Sequence, residues 1–141
     1  MVDNVNQGKK NRRSGLEFER KFREVMEKRG YILVKWANNV SLIQSRCVPA
    51  KPGKFRMMQT GFPDFLMFWA VTEEGKISEG VKYQIHMVEC KTNGRTSPEE
   101  DRKAQWYLKH NYCNKFFVAS KEMKNNKIEI HFREIKREDK A

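Results

Sequence analysis

Two acidic motifs in the middle of the chain are the residues best suited to chemistry. Gly61-Phe62-Pro63-Asp64 ends in a carboxylate, and Glu89-Cys90-Lys91 supplies a second carboxylate and a lysine 25 residues after Asp64. Two carboxylates held close together repel each other unless one is protonated or a cation bridges them. Hard oxygen ligands suit Mg²⁺ or Mn²⁺, which can activate water for phosphodiester hydrolysis. A metal-dependent phosphodiesterase site is therefore the first hypothesis.

The local pattern predicts two β-strands that would bring these motifs together. Residues 64–71 are rich in aromatic side chains, which indicates a short buried strand, and residues 82–91 alternate between two faces. Alternation puts Glu89 and Lys91 on the same face. If the strands pair, Asp64 lies beside Glu89, with Lys91 at the rim. Lys91 would then orient or deprotonate the attacking water or stabilise the phosphate, and the pattern leaves these roles open.

Capping patterns predict two helices. Ser14-Gly15-Leu16-Glu17 has capping-box spacing before a helical apolar pattern that Gly30 ends. Glu17 can therefore be a helix cap or a functional acid. Ser97-Pro98-Glu99-Glu100 combines an N-cap, a proline and a capping-box acid, so a second helix should run to about His110.

The order of elements predicts an α/β fold. Further strands are predicted at residues 31–36, 115–120 and 127–135, with an ambiguous segment at 40–44. A strand, helix and strand near residues 82–120 favour a parallel crossover, and hence a mixed central β-sheet flanked by α-helices. We expect residues 1–13 to form a flexible basic tail and residues 14–141 a single domain.

The cysteines and the hydropathy exclude several classes of protein. Cys47, Cys90 and Cys113 are far apart and include no Cys-x-x-Cys pair, which predicts reduced thiols and no zinc site. Cys90 and His86 face away from Glu89 on the alternating strand, so we predict structural roles for both side chains. Since no apolar stretch approaches the ~20 residues of a membrane helix, we expect a cytoplasmic protein without a membrane partner.

The net charge of +11 predicts an anionic partner. Residues 35–60 carry five cations and no acid, and with Pro49, Pro52 and Gly53 they are predicted to form a long basic loop. Such a loop either follows nucleic-acid phosphates or is a solvated surface segment. The candidate nucleic-acid contacts are Lys35, Arg46, Lys51, Lys54, Arg56 and Arg95.

Asp64 followed by Glu89-Cys90-Lys91 resembles the PD-(D/E)XK nuclease motif, and Pro63 supplies its optional proline. The order of the motifs over about residues 14–120 is similar to the virus-type replication–repair nuclease (VRR-NUC) branch. Archaeal Holliday-junction resolvases are close in pattern. The resemblance implies a restriction-endonuclease-like core in which Asp64, Glu89 and the carbonyl of Cys90 bind metal while Lys91 is catalytic.

The resemblance also suggests two further site residues. Glu17 matches the helical acid that many members use as an additional metal ligand. The branch usually has a glutamine soon after the Ser-Pro, where this chain has Glu100 and Asp101, so Gln105 is the candidate for that catalytic position.

We therefore expect a Mg²⁺-dependent, structure-selective DNA endonuclease in which Mn²⁺ can substitute. Without an evident base-reading module, recognition by shape favours branched DNA such as Holliday junctions or flaps, in DNA repair or recombination. A homodimer is expected because two symmetric cuts need two sites. If the source is a virus, the location is the host cytoplasm. The alternatives are a sequence-specific restriction or DNA-mobilisation endonuclease, and a non-catalytic nucleic-acid-binding module. DNA against RNA, and one metal ion or two, stay open.

Overall fold

The computed structural model describes residues 4–50, 61–72 and 80–138, with side chains described from Arg13 onward. The helices and strands in this part of the chain are α1 (Asn4–Lys28), β1 (Ile32–Lys35), β2 (Asn38–Ser41), β3 (Arg46–Pro49), β4 (Phe65–Ala70), β5 (Tyr83–Cys90), α2 (Pro98–Lys109), β6 (Lys115–Lys124) and β7 (Lys127–Ile135). Neither of these helices is long and apolar enough to cross a membrane.

A mixed sheet with the strand order β1-β4-β5-β6-β7 forms the centre of the fold. β5 and β6 are parallel, whereas every other neighbouring pair in this sheet is antiparallel. The helix α2 connects the two parallel strands, as expected for a crossover unit. The predicted α/β class, the mixed central sheet and the parallel crossover are therefore confirmed.

The helix α1 begins at Asn4, so the predicted start at Ser14 was wrong. The sequence before Ser14 contains no proline, and its lysine and arginine residues, Lys9, Lys10, Arg12 and Arg13, continue a helix readily. Residues 4–13 thus belong to α1, where the sequence predicted a tail. The predicted stop is confirmed: Gly30 has φ +95°, a conformation that glycine adopts at little cost, and it follows the last turn.

The two helices cover opposite faces of the sheet. Phe22 of α1 packs in one core cluster with Val88, and Tyr107 of α2 packs in another with Met87. Because Met87 and Val88 are consecutive residues of β5, their side chains point to opposite faces. Apolar side chains on both faces of β5 explain why its central residues are buried.

A buried hydroxyl connects α2 to the chain before β4. The Tyr107 hydroxyl donates a hydrogen bond to the Phe62 carbonyl (2.6 Å) and accepts one from Trp36 Nε1 (3.0 Å). The side chain of Tyr107 is fully buried. Leaving these groups unpaired inside the core would cost free energy, so this hydroxyl fixes the segment that leads to Asp64.

The predicted basic loop at residues 35–60 is in part a β-hairpin. β2 and β3 pair antiparallel, with Val40 opposite Cys47, and Val40 is buried in the α2-side core. The loop prediction was wrong for residues 38–41 and 46–49 because the burial of Val40 and this pairing outweigh the positive charge and Pro49. The indole of Trp106 donates to Ser45 Oγ (3.0 Å), which attaches the hairpin turn to α2. Residues 51–60 lie outside the described part of the chain.

Gly61 lies against the backbone of residues 37–38. Its N–H donates to the Trp36 carbonyl (3.1 Å), and a Cβ added there would lie 2.6 Å from the Asn38 nitrogen and 2.9 Å from the Ala37 carbonyl carbon. These are main-chain atoms that cannot move independently. Only glycine therefore fits at this position.

We predict that Gly61→Ala lowers the free energy of unfolding by ~1–3 kcal/mol through overpacking. The matched control is Gly15→Ala, because a Cβ at this helical glycine meets nothing within 4 Å and should stabilise α1 by ~0.5–1 kcal/mol. Urea unfolding of both variants measures the two effects. Equal stability of Gly61→Ala and the wild type would contradict the close approach.

Candidate active site

Asp64 and Glu89 form a buried pair of acids between β4 and β5. The strand register places Phe65 opposite Val88, so its extension by one residue puts Asp64 opposite Glu89. Each of these acids is only 6% exposed. The Asp64 N–H donates to Glu89 Oε1 (3.1 Å), and the Cys90 N–H donates to Asp64 Oδ2 (2.8 Å). The structure therefore brings together the two carboxylates that the strand pattern predicted to be neighbours.

The pair is electrostatically unfavourable when both carboxylates are ionised. Burial, followed by the charge and hydrogen bonding of Asp64, raises the pKa of Glu89 well above its ordinary value, although Lys91 acts in the opposite direction. A proton or a cation relieves this repulsion. The site thus favours binding of positive charge between two hard oxygen donors.

Lys91 follows β5 directly and lies at the rim of the acid pair, as predicted. Its Nζ is 3.4 Å from Glu89 Oε2 and 2.8 Å from Glu100 Oε2. Burial alone would lower the pKa of Lys91, but hydrogen bonding to Glu100 and the charges of Glu89 and Glu100 outweigh it, so the pKa is raised. Lys91 is therefore held as an ammonium ion.

The helix α1 contributes an acid to this site, but the acid is Glu19 and not Glu17. Glu17 is exposed, whereas the half-buried Glu19 accepts a hydrogen bond from Lys35 Nζ at 2.7 Å. Burial and the charge of Asp64 raise the pKa of Glu19. Successive residues on a helix are rotated by ~100° about its axis. Glu19, three residues before the buried Phe22, therefore lies near the buried face of α1, whereas Glu17, five residues before Phe22, points away from it. This helical periodicity was the signal that could have identified Glu19.

These side chains surround a cleft with a volume of about 350 Å³. The residues lining the cleft are Glu19, Asn39, Gly61, Phe62, Asp64, Glu89, Cys90, Lys91, Glu100 and Lys103. Sequence reasoning missed Glu19, Asn39, Lys103 and the site role of Glu100. The Lys103 side chain is 16% exposed, and its Nζ is 3.6 Å from the carboxylate of the exposed Glu99.

Gln105 is not brought to the cleft. Its side-chain amide donates to the Lys136 carbonyl (2.7 Å) and accepts from the Glu138 N–H (3.0 Å). It therefore fastens the segment after β7 to α2. Gln105 lies five residues after Glu100, and this spacing turns it to a different side of the helix.

The predicted nucleic-acid contacts are dispersed. Lys35 is paired with Glu19, and Arg46 on β3 is exposed and bonds to Gln44 (2.8 Å). Arg95 is exposed on the loop between β5 and α2. Lys51, Lys54 and Arg56 fall outside the described residues.

Cys90 and His86 face the α1 side of the sheet, as the alternation predicted. Cys90 packs against the core cluster that contains Phe22, and burial, with the charge of Asp64, raises the pKa of its thiol. His86 contacts the rings of Trp69 and Phe117, with centroid separations of 4.8 and 5.0 Å. Burial, then the charge of Lys115, lowers the pKa of His86, so its neutral form is favoured.

Family profiles, curated proteins and solved structures give no match to this chain. Within residues 4–50, 61–72 and 80–138, no three His, Cys, Asp or Glu side chains are arranged as a group that could hold a metal ion. Of the expected ligands, Asp64, Glu89 and the Cys90 carbonyl lie together and include only two side chains, whereas Glu17, the additional expected ligand, is exposed. The donor chemistry of Asp64 and Glu89 fits a hard divalent cation.

We predict that the stability of the metal-free protein falls as the pH rises above about 4.5, the ordinary pKa of a glutamate. The folded protein keeps a proton on Glu89 where the unfolded chain has lost it, so rising pH favours unfolding until the folded-state pKa is passed. Glu89→Gln cannot ionise and should flatten this decrease. Urea unfolding in EDTA at a series of pH values tests it, and an unchanged pH slope in the variant would contradict the raised pKa.

Proposed function

We propose that this chain is a metal-dependent nuclease of the PD-(D/E)XK type with a restriction-endonuclease-like core. The observation that supports this proposal most directly is the buried pair of Asp64 and Glu89 with the Lys91 ammonium at its rim. The three residues belong to two sequence motifs that resemble those of the family. Burial of two neighbouring carboxylates opposes folding, so an ion pair without a function would not need this arrangement.

In this proposal Asp64, Glu89 and the carbonyl of Cys90 hold Mg²⁺ or Mn²⁺, with Glu19 as an outer acid. When bound, the metal lowers the pKa of a water molecule and offsets the charge that develops on the scissile phosphate. The Cys90 N–H orients the Asp64 carboxylate, and the Asp64 N–H orients that of Glu89. The main chain of the two strands therefore preorganises both acids.

Lys91 acts as an electrostatic stabiliser and not as a base. Its raised pKa favours the ammonium form, which cannot accept a proton from water. A fixed ammonium ion beside the reacting phosphate stabilises the negative charge of the transition state. This role agrees with its place between two carboxylates, Glu89 and Glu100.

The proposed substrate is branched DNA, cut by a homodimer, in repair or recombination. The net charge of +11 favours a polyanion. Lys103 places a further cation in the cleft, where a substrate phosphate can replace its weak contact with the exposed Glu99. Lys103 would therefore bind substrate, whereas Lys91 would act on the reacting phosphate.

We predict that Asp64→Asn abolishes Mg²⁺-dependent cleavage and leaves DNA binding in place, because it removes a metal ligand but no phosphate contact. Glu19→Gln should also reduce cleavage, whereas the control Glu17→Gln, two residues away on the same helix and exposed, should not. Cleavage of linear, flap and four-way DNA with Mg²⁺ and with EDTA measures these effects. Cleavage that persists in EDTA would refute the metal mechanism.

We predict that Lys103 contacts a phosphate of the substrate DNA. Replacement by Met should weaken DNA binding and reduce the slope of log K against log salt by ~0.9, the value for one phosphate contact. The turnover rate at saturating DNA should change little, because the contact is made equally in the ground and transition states. The control is Lys109→Met, at the exposed end of α2. An unchanged salt slope for Lys103→Met would remove this residue from the DNA interface.

A further inference from the structure

The carboxylate of Glu100 makes two contacts at once. One oxygen, Oε1, accepts the Ser97 N–H at 2.9 Å, and the other, Oε2, lies 2.8 Å from Lys91 Nζ. The Ser97 hydroxyl in turn accepts the Glu100 N–H at 3.1 Å. The capping box of α2 therefore ends in a charged contact to a residue of the candidate active site.

Lys91 needs such a contact to hold one position. A lysine side chain is flexible, and ordering it opposes the gain from any single ion pair. Its contact with Glu89 is long, at 3.4 Å, and Glu89 is also shared with Asp64. Glu100 makes the shorter contact and is itself fixed by the main chain of Ser97.

We infer that Glu100 is a positioning residue that holds the Lys91 ammonium in place for catalysis, an inference that rests on the proposed function. Its first oxygen anchors the carboxylate to the helix N-terminus, and its second oxygen orients the lysine. Glu100 does not touch the reacting phosphate in this scheme; it acts through Lys91. The arrangement links the start of α2 to the end of β5, so the crossover connection itself orders the catalytic lysine.

The test compares Glu100→Gln with Glu99→Gln. Glutamine still fits a capping box, so Glu100→Gln keeps the helix start but loses the ion pair with Lys91. Glu99→Gln removes the same charge from the same helical turn, at an exposed side chain outside the cleft that contacts Lys103 instead. Any effect of helix charge is therefore common to both variants, and only one of them releases Lys91.

Two readouts are measured for each protein. The first is ¹H–¹⁵N NMR of the lysine ammonium groups, in which a firmly hydrogen-bonded ammonium is protected from exchange, with Lys91 assigned by Lys91→Arg. The second is cleavage of branched DNA in Mg²⁺, analysed as kcat and KM separately. We expect Glu100→Gln to lose the Lys91 signal and to lower kcat by ~10- to 100-fold with little change in KM, as for a misplaced reacting group. Glu99→Gln should retain both.

The outcomes are distinguishable. The positioning role is wrong if kcat of Glu100→Gln is unchanged, whether the Lys91 signal survives or is lost. In that case the proposed function still stands as long as Asp64→Asn is inactive. If the wild type shows no metal-dependent cleavage, the proposed function fails and the catalytic part of this inference fails with it. The NMR signal then still decides whether Glu100 orders Lys91.

Discussion

The main-chain hydrogen bonding of the Asp64 and Glu89 carboxylates is the constraint on which the candidate site depends. Two acids are buried next to each other, which opposes folding, and the main-chain N–H groups of Asp64 and Cys90 compensate by donating to them. These bonds exist only in the register that sets Phe65 opposite Val88. A shift of one residue between β4 and β5 would move the side chains to the other face and separate the acids.

Positive charge is arranged around this buried acid pair. Lys35 pairs with Glu19 on the α1 side, and Lys91 pairs with Glu100 on the α2 side. In both pairs the acid comes from a helix and the cation from the end of a strand of the central sheet. The lysine of each pair is more exposed than its acid, and the Asp64 and Glu89 carboxylates beneath them are almost fully buried.

The sequence was sufficient wherever strand alternation or a cap decided the structure. Alternation correctly placed Glu89 and Lys91 together and His86 on the opposite face, and the Ser97 capping box marked the start of α2. The sequence was misleading at the start of α1, where the capping pattern at Ser14 conflicted with the helix-forming residues before it. The Ser14 capping box lies inside a longer helix, because nothing before it stops the helix.

Contacts between distant parts of the chain could not be derived from local patterns. The hairpin of β2 and β3 depends on burial of Val40 and on the bond from Trp106 to Ser45. The capping motif fully accounts for an acid at position 100, so the second contact of Glu100, to Lys91, could not be predicted from the sequence. A resemblance to a family likewise indicated an acid on the first helix but selected Glu17, since matching by motif takes no account of which face of the helix is buried.

The hydroxyl of Tyr107 ties together three parts of the chain that are far apart in sequence: the end of β1, the segment before Asp64, and α2. The backbone that carries one carboxylate is thus set by contacts of long sequence separation, while Glu89, Lys91 and Glu100 lie within a single short stretch. Such contacts carry a large loop-closure entropy and form late when a chain folds. Completion of the acid pair therefore depends on the docking of α2, because a residue of that helix holds the backbone that leads to Asp64.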